Sequence, residues 1–156
     1  MTGRKNNVGA GFVIFKSDDL EKMLVLIRED GIYDIPKGTK DQNESDLDTA
    51  RRETFEECSI VVEPSEMLTT EASLRHGSLT TYVAVTDKIP EVVPNLHSGI
   101  LEHVGYEWVT KDKATSNCLS YGLDLTSLNV FWIRSYIVSY YKIYILVYLY
   151  NMFCTN

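Results

Sequence analysis

Apolar positions fall in short runs along the first 115 residues and in one long run near the end. Residues 8–16 (VGAGFVIFK) are rich in apolar and β-branched side chains and predict a strand; Lys22–Arg28 (KMLVLIR) predicts a second, with turn chemistry at Ser17-Asp18-Asp19 between them. Residues 31–40 (GIYDIPKGTK) predict a short strand followed by a Pro/Gly loop. From Glu44 to Cys58 the period changes: Leu47, Ala50, Thr54 and Cys58 fall at i, i+3, i+7 and i+11, a helical stripe. Ile60-Val61-Val62 predicts a strand ended by Pro64, and Leu79–Thr86 (LTTYVAVT) and His103–Thr110 (HVGYEWVT) predict two more, with Lys111–Ala114 opening a second helix. Strands alternating with one well-marked helix predict an α/β or α+β sandwich.

A length of 156 residues is that of one domain with a core of its own. Charged residues at 24% and hydrophobic ones at 44% exclude a disordered or collagen-like chain. The three cysteines, Cys58, Cys118 and Cys154, form no CxxC pair, so neither a zinc site nor a disulfide framework is expected. Free thiols and an N-terminus without a long apolar stretch make the cytoplasm the expected location. The net charge of −7 argues against non-specific nucleic-acid binding, which needs clustered Lys and Arg.

Charge is unevenly spread. All 22 acidic residues lie at or before Asp124; beyond it only Arg134 and Lys142 are charged. The expected organisation is therefore a domain over residues 1–125 and a hydrophobic, Tyr-rich segment over 126–156. Its stretch Asn129–Tyr150 holds six of the ten tyrosines and is apolar nearly all round. Arg134 and Lys142 break it into pieces too short to span a bilayer. A helix packed on the domain or in a homodimer is expected ahead of a membrane anchor.

The predicted helix carries the chemistry. At roughly 100° per residue, with Glu53 at 0°, Glu56 falls near −60° and Glu57 near +40°. Three carboxylates in a sector roughly 100° wide repel one another and oppose the helix dipole. Such a cluster is either a solvated charged face or a seat for a hard cation such as Mg²⁺ or Mn²⁺.

The residues leading into the helix favour the second option. From Gly38 the chain runs five residues to Glu44, seven more to Arg52, and then reads Arg52-Glu53-Thr54-Phe55-Glu56-Glu57-Cys58-Ser59-Ile60. This resembles the Nudix box, Gly-x5-Glu-x7-Arg-Glu-U-x-Glu-Glu-x-Gly-U, with U a bulky aliphatic. Gly38, Glu44, Arg52, Glu53, Glu56, Glu57 and Ile60 match; Thr54 replaces an aliphatic and Ser59 a glycine. Glycine there permits a left-handed helix stop that serine adopts less readily.

The resemblance implies an α/β/α sandwich with a mixed sheet, the box forming loop–helix–loop. It implies metal-dependent hydrolysis of a pyrophosphate bond in a nucleoside diphosphate linked to another moiety. Glu53, Glu56, Glu57 and the Gly38 carbonyl would hold the metal. Arg52 would orient a box glutamate, and Glu44 would steady the loop. The segment Glu102-His103-Val104-Gly105-Tyr106-Glu107-Trp108 looks like the Glu-His-x-x-Tyr-x-Trp of diadenosine tetraphosphate hydrolases, which makes Glu102 a candidate metal or base residue. His103 reads as structural. Lys37, Arg75, His76 and Tyr82 are candidate substrate contacts, the middle two in a loop before Leu79.

Dinucleoside polyphosphate hydrolases often carry a tyrosine some 16–18 residues past the box, where this chain has His76, Gly77 and Ser78. Marks of NADH and ADP-ribose hydrolases are absent as well. A dinucleoside polyphosphate is the expected substrate, with ADP-ribose, NADH, a nucleoside triphosphate or a capped RNA end as alternatives. A non-catalytic nucleotide-binding module is the rival reading.

Overall fold

The computed structural model describes residues 9–68, 74–76, 78–95 and 98–116. The predicted segment 126–156 lies outside the described residues. Among those described, no helix is long and apolar enough to cross a membrane.

Among the described residues, seven strands form one mixed sheet: β1 (Gly9–Lys16), β2 (Asp19–Ile27), β3 (Tyr33–Asp34), β4 (Lys37–Thr39), β5 (Leu74–His76), β6 (Leu79–Thr86) and β7 (Gly105–Thr110). The path runs β3-β2-β1-β6-β5, with β7 on β2 and β4 on β1. β1 and β6 are parallel along their whole length, from Gly9↔Leu79 to Lys16↔Thr86. The other pairings are antiparallel.

β1 and β2 meet only near their turn, at Phe15↔Met23 and Lys16↔Asp19. At the other end of β1, β4 pairs instead, through Gly9↔Thr39, Ala10↔Gly38 and Gly11↔Lys37. The glycines of β1 make this possible: a Cβ on Gly9 would meet the Gly38 carbonyl at 2.9 Å. Lys37–Thr39 was expected as loop; the contribution of those glycines turns it into a strand that sets Lys37 and Gly38 beside the helix.

Helix α1 (Asp46–Cys58) starts where Ser45 Oγ accepts from the Asp48 N–H at 3.1 Å. Its apolar stripe enters a core of Phe12, Ile14, Leu24, Leu26, Ile60 and Tyr82, with Ala50 and Cys58 fully buried. The alternate positions Val13, Met23, Val25 and Val109 are buried too, so both faces of the sheet are covered. The short helix α2 (Lys111–Ser116) lies against β2 and β7.

Two expectations need correction. Ile60–Val62 forms no strand; Ile60 and Val62 point inward and Val61 outward, but the segment has no ladder partner, and a 3₁₀ turn follows at Pro64–Glu66. Residues 74–76 are not loop: β5 pairs with β6 through Arg75↔Thr80 and His76↔Leu79.

Candidate active site

The loop between β4 and α1 is folded around one carboxylate. Glu44 accepts from Arg52 Nε at 2.9 Å and Nη2 at 3.0 Å, from Thr49 Oγ1 at 2.8 Å, and from the Asp41 N–H at 3.1 Å. These bonds, the Arg52 guanidinium foremost, hold the Glu44 carboxyl down at about 2. Arg52 spans the gap from loop to helix: Nη2 also donates to the Thr39 carbonyl at 2.9 Å, and Nη1 to Glu53 Oε1 at 2.8 Å and Glu56 Oε2 at 3.4 Å.

The carboxylates of the last turns converge as the helical spacing predicts. Glu53, Glu56 and Glu57 line one cavity of about 640 Å³, together with Lys37, Gly38, Arg52 and, from the loop before β7, Glu102. Glu57 is 9% exposed and accepts from the Lys37 backbone N–H at 2.9 Å. Burial pushes its carboxyl up to about 9. Burial raises Glu53 as well, and the charges of Glu56 and Glu102 add to the effect, so Glu102 faces the helix carboxylates electrostatically. Gly38 is required by close approach: a Cβ there would land on the Glu53 carboxyl group.

Lys37 is a candidate substrate contact in the sequence. Its ammonium instead pairs with Asp34 at 2.7 Å, with both side chains about nine-tenths buried. Tyr82 is corrected outright. It is 6% exposed, belongs to the core and packs against Phe12 with ring centroids 5.8 Å apart. Strand alternation puts it in line with Ala84 under α1, away from the cavity. For Arg75 and His76 the backbone lies in β5, and their side chains are outside the described residues.

Among the cavity residues that the sequence did not assign to the site are Arg28, Asp34 and His103. Asp34 is a buried carboxylate inside an apolar stretch, and that contrast was its signal. His103 is 5% exposed with Nδ1 3.8 Å from Glu57 Oε1, and burial lowers its pKa. Its adjacency to Glu102 was the available clue. Arg28 carried no local signal, because a basic residue at the end of a strand is ordinary.

The donor set suits a hard cation: several carboxylate oxygens on one wall of a cavity, more negative charge than Arg52 offsets, and one carboxylate, Glu57, whose burial outweighs the hydrogen bond and charge that Lys37 brings to it. Among the described residues, no three Asp, Glu, His or Cys side chains stand close enough together to hold an ion by themselves. Mg²⁺ commonly takes one or two carboxylates and completes its shell with water and substrate phosphate, so such a cage is not a requirement.

The NUDIX domain family model matches residues 5–123. Similar solved structures include an Ap4A hydrolase from C. elegans in a binary complex, at 21% identity, TM-score 0.57, covering 80% of this chain and 96% of that one. The NUDIX domain of NrtR from Shewanella oneidensis, complexed with ADP ribose, gives 20% identity, TM-score 0.56, and coverage of 81% and 86%. The dihydroneopterin triphosphate pyrophosphohydrolase of E. coli gives 18% identity, TM-score 0.52, and coverage of 71% and 85%. No curated protein sequence matches the chain. The structural likenesses establish the fold; the family match over most of the chain, with the box residues gathered at one cavity, goes further. This chain belongs to the Nudix family of pyrophosphohydrolases.

Proposed function

We propose that the chain hydrolyses a phosphoanhydride bond in a dinucleoside polyphosphate, using a divalent cation, Mg²⁺ or Mn²⁺. The supporting observation is the convergence of Glu53, Glu56 and Glu57 with Glu102 around one cavity beside Gly38. The Glu102–Trp108 segment and the likeness to the C. elegans Ap4A hydrolase favour that substrate over others.

Glu53, Glu56, Glu57 and the Gly38 carbonyl are the groups that would hold the cation. When bound, it supplies charge neutralisation on the phosphates and a more acidic water. Arg52 keeps Glu53 and Glu56 aimed at the cavity through its hydrogen bonds. Glu102, exposed at the rim, accepts the proton as water attacks phosphorus; the phosphorus–oxygen bond to the leaving phosphate breaks, and two phosphorylated products leave. Lys37, locked to Asp34, fixes the backbone N–H that donates to Glu57.

The test is incubation of the full chain with Mg²⁺ and diadenosine tetraphosphate, ADP-ribose, NADH, nucleoside triphosphates or capped RNA, with products separated by chromatography. Release of ATP and AMP from diadenosine tetraphosphate is expected. Glu57→Gln should keep the fold and lose about 10³-fold or more in kcat, because the charge stabilisation at stake is several kcal/mol. Hydrolysis of another member alone replaces the substrate. Nucleotide binding in EDTA with no Mg²⁺-dependent turnover moves the assignment to a binding module.

A further inference from the structure

The cations around the cavity are not equally committed. Lys37 is buried against Asp34, and Arg52 is shared among Glu44, Glu53 and Glu56. Arg28 differs. It follows β2 directly, and its backbone closes a tight turn: its N–H donates to the Ile32 carbonyl at 3.0 Å, and its carbonyl accepts from the Gly31 N–H at 2.9 Å. The side chain is left half-exposed, its guanidinium 3.3 Å from an equally exposed Asp30. Such a solvated pair is weak and easily exchanged.

Arg28 also stands at a junction. A second cavity of about 430 Å³ adjoins the first and shares Arg28 and Glu102 with it; its other lining residues are Glu29 and Asp30. We propose that Arg28 is a substrate-anchoring residue, which exchanges Asp30 for a phosphate group of the substrate at the junction of the two cavities. The proposal rests on the reading of the site as one for polyphosphate-bridged nucleotides, and adds where part of the bridge is held.

The chemistry follows from the groups present. A guanidinium fork matches two phosphate oxygens at once. A polyanion entering a cavity walled by carboxylates needs a positive group that is not already neutralised by a buried partner. Beyond Arg28, Glu29, Asp30 and Glu102 repel a further phosphate, so the part of the substrate that continues into the second cavity is uncharged. Carboxylates accept hydrogen bonds from hydroxyl groups, and a sugar meets that description.

The experiment is calorimetric titration of the full chain, in Mg²⁺, with a methylene-bridged ATP analogue that resists hydrolysis. Arg28→Ala should weaken binding by about 10- to 100-fold, the range for a hydrogen bond to a charged group. Arg28→Lys should lose less. Asp30→Asn, which removes the competing charge but keeps the acceptor for the Ile32 N–H, should bind more tightly than the unaltered chain. Lys16→Ala, at the opposite end of the β1–β2 hairpin, should change nothing. Equal binding by Arg28→Ala, no binding by the unaltered chain, or a loss in Asp30→Asn as large as in Arg28→Ala overturns the proposal. Arg28-dependent binding without turnover of any nucleotide leaves the anchor standing and removes the hydrolase reading. Turnover with an unchanged KM in Arg28→Ala does the reverse.

Discussion

Among the described residues, two hydrogen-bonded ion-pair networks make a contrast: one lies near the end of β6, and the other lines the cavity of about 640 Å³. Near the end of β6, Glu66 accepts from Thr86 Oγ1 at 2.6 Å, Lys88 Nζ at 2.7 Å and the Glu63 N–H at 2.8 Å; Lys88 also donates to the Val61 carbonyl at 2.5 Å. One anion meets one cation there, and the network closes on itself. Around α1, Arg52 serves Glu44, Glu53 and Glu56, with Glu57 buried alongside and Glu102 across the cavity. That network ends with negative charge to spare. The same chemistry that clips a 3₁₀ turn in one place leaves unbalanced carboxylates in the other, and the imbalance is what a phosphate-handling site with a cation requires.

The sharpest way to separate bracing from chemistry is Gly38→Ala. The added methyl group would occupy the position of the Glu53 carboxyl, the movable end of a side chain, so the chain can yield without breaking backbone contacts. Stability should fall by no more than about 1 kcal/mol. Glu53 must swing off Arg52 Nη1, and a displacement of that size in a group proposed to hold the cation should cost about 10²-fold in kcat. A thermal melt paired with steady-state kinetics checks both halves; a kcat within a few-fold of the unaltered chain would contradict the placement of Glu53.

Next in size is a matched pair, Glu44→Gln and Lys88→Met. Each removes a charge from one network, and each should cost about 1–2 kcal/mol in urea denaturation. Only Glu44→Gln should also lower kcat, by roughly 10-fold, because Arg52 then loses its main partner and holds Glu53 less firmly. Lys88→Met should leave kcat within about twofold, since its contacts are to Glu66 and Val61. Equal kcat losses in the two variants would dissolve the distinction.

The closed network has a pH signature. Burial alone would push Glu66 up, but bonds from Lys88 and Thr86 outweigh it and hold its carboxyl below the ordinary 4.5. A carboxyl lowered on folding stabilises the folded chain above its unfolded value and loses that contribution as pH falls through the folded one. The difference in urea midpoint between the unaltered chain and Glu66→Gln should therefore be full at neutral pH and shrink below pH 4.5. A pH-independent difference would show that the bonds do not depend on the charge.

Much of this was legible in the sequence because it is local. Strand β6 and the stripe Leu47–Cys58 follow from periodicity, and the convergence of Glu53, Glu56 and Glu57 follows from helical spacing alone. What escaped depends on partners far away in the chain. Lys37–Thr39 reads as a Pro/Gly loop until the glycines of β1 let it pair. Ile60–Val62 alternates like a strand but finds no ladder. His103 reads as structural, and only the fold brings it to Glu57. Tyr82 failed for a related reason: an aromatic on a strand does not announce which face is core.

The smallest effects belong to the two departures from the box pattern, and they bear on stability rather than chemistry. Ser59 closes α1 at φ 58° and ψ 17°, its N–H bonded to the Phe55 carbonyl at 2.9 Å. A left-handed residue with a side chain costs roughly 1–2 kcal/mol, and glycine gives back part of that gain through its freer unfolded chain. Ser59→Gly should thus stabilise by about 0.5–1 kcal/mol. Thr54 is fully buried and its Oγ1 has no hydrogen-bond partner among the described residues. Thr54→Val removes that unsatisfied hydroxyl at constant shape and should stabilise by about 1 kcal/mol. Neither side chain lines the cavity, so kcat should hold within about twofold in both variants, measured beside the urea curves. A stabilised variant that also lost turnover would mean that the end of α1 must yield during the reaction, and the two departures would then be part of the site.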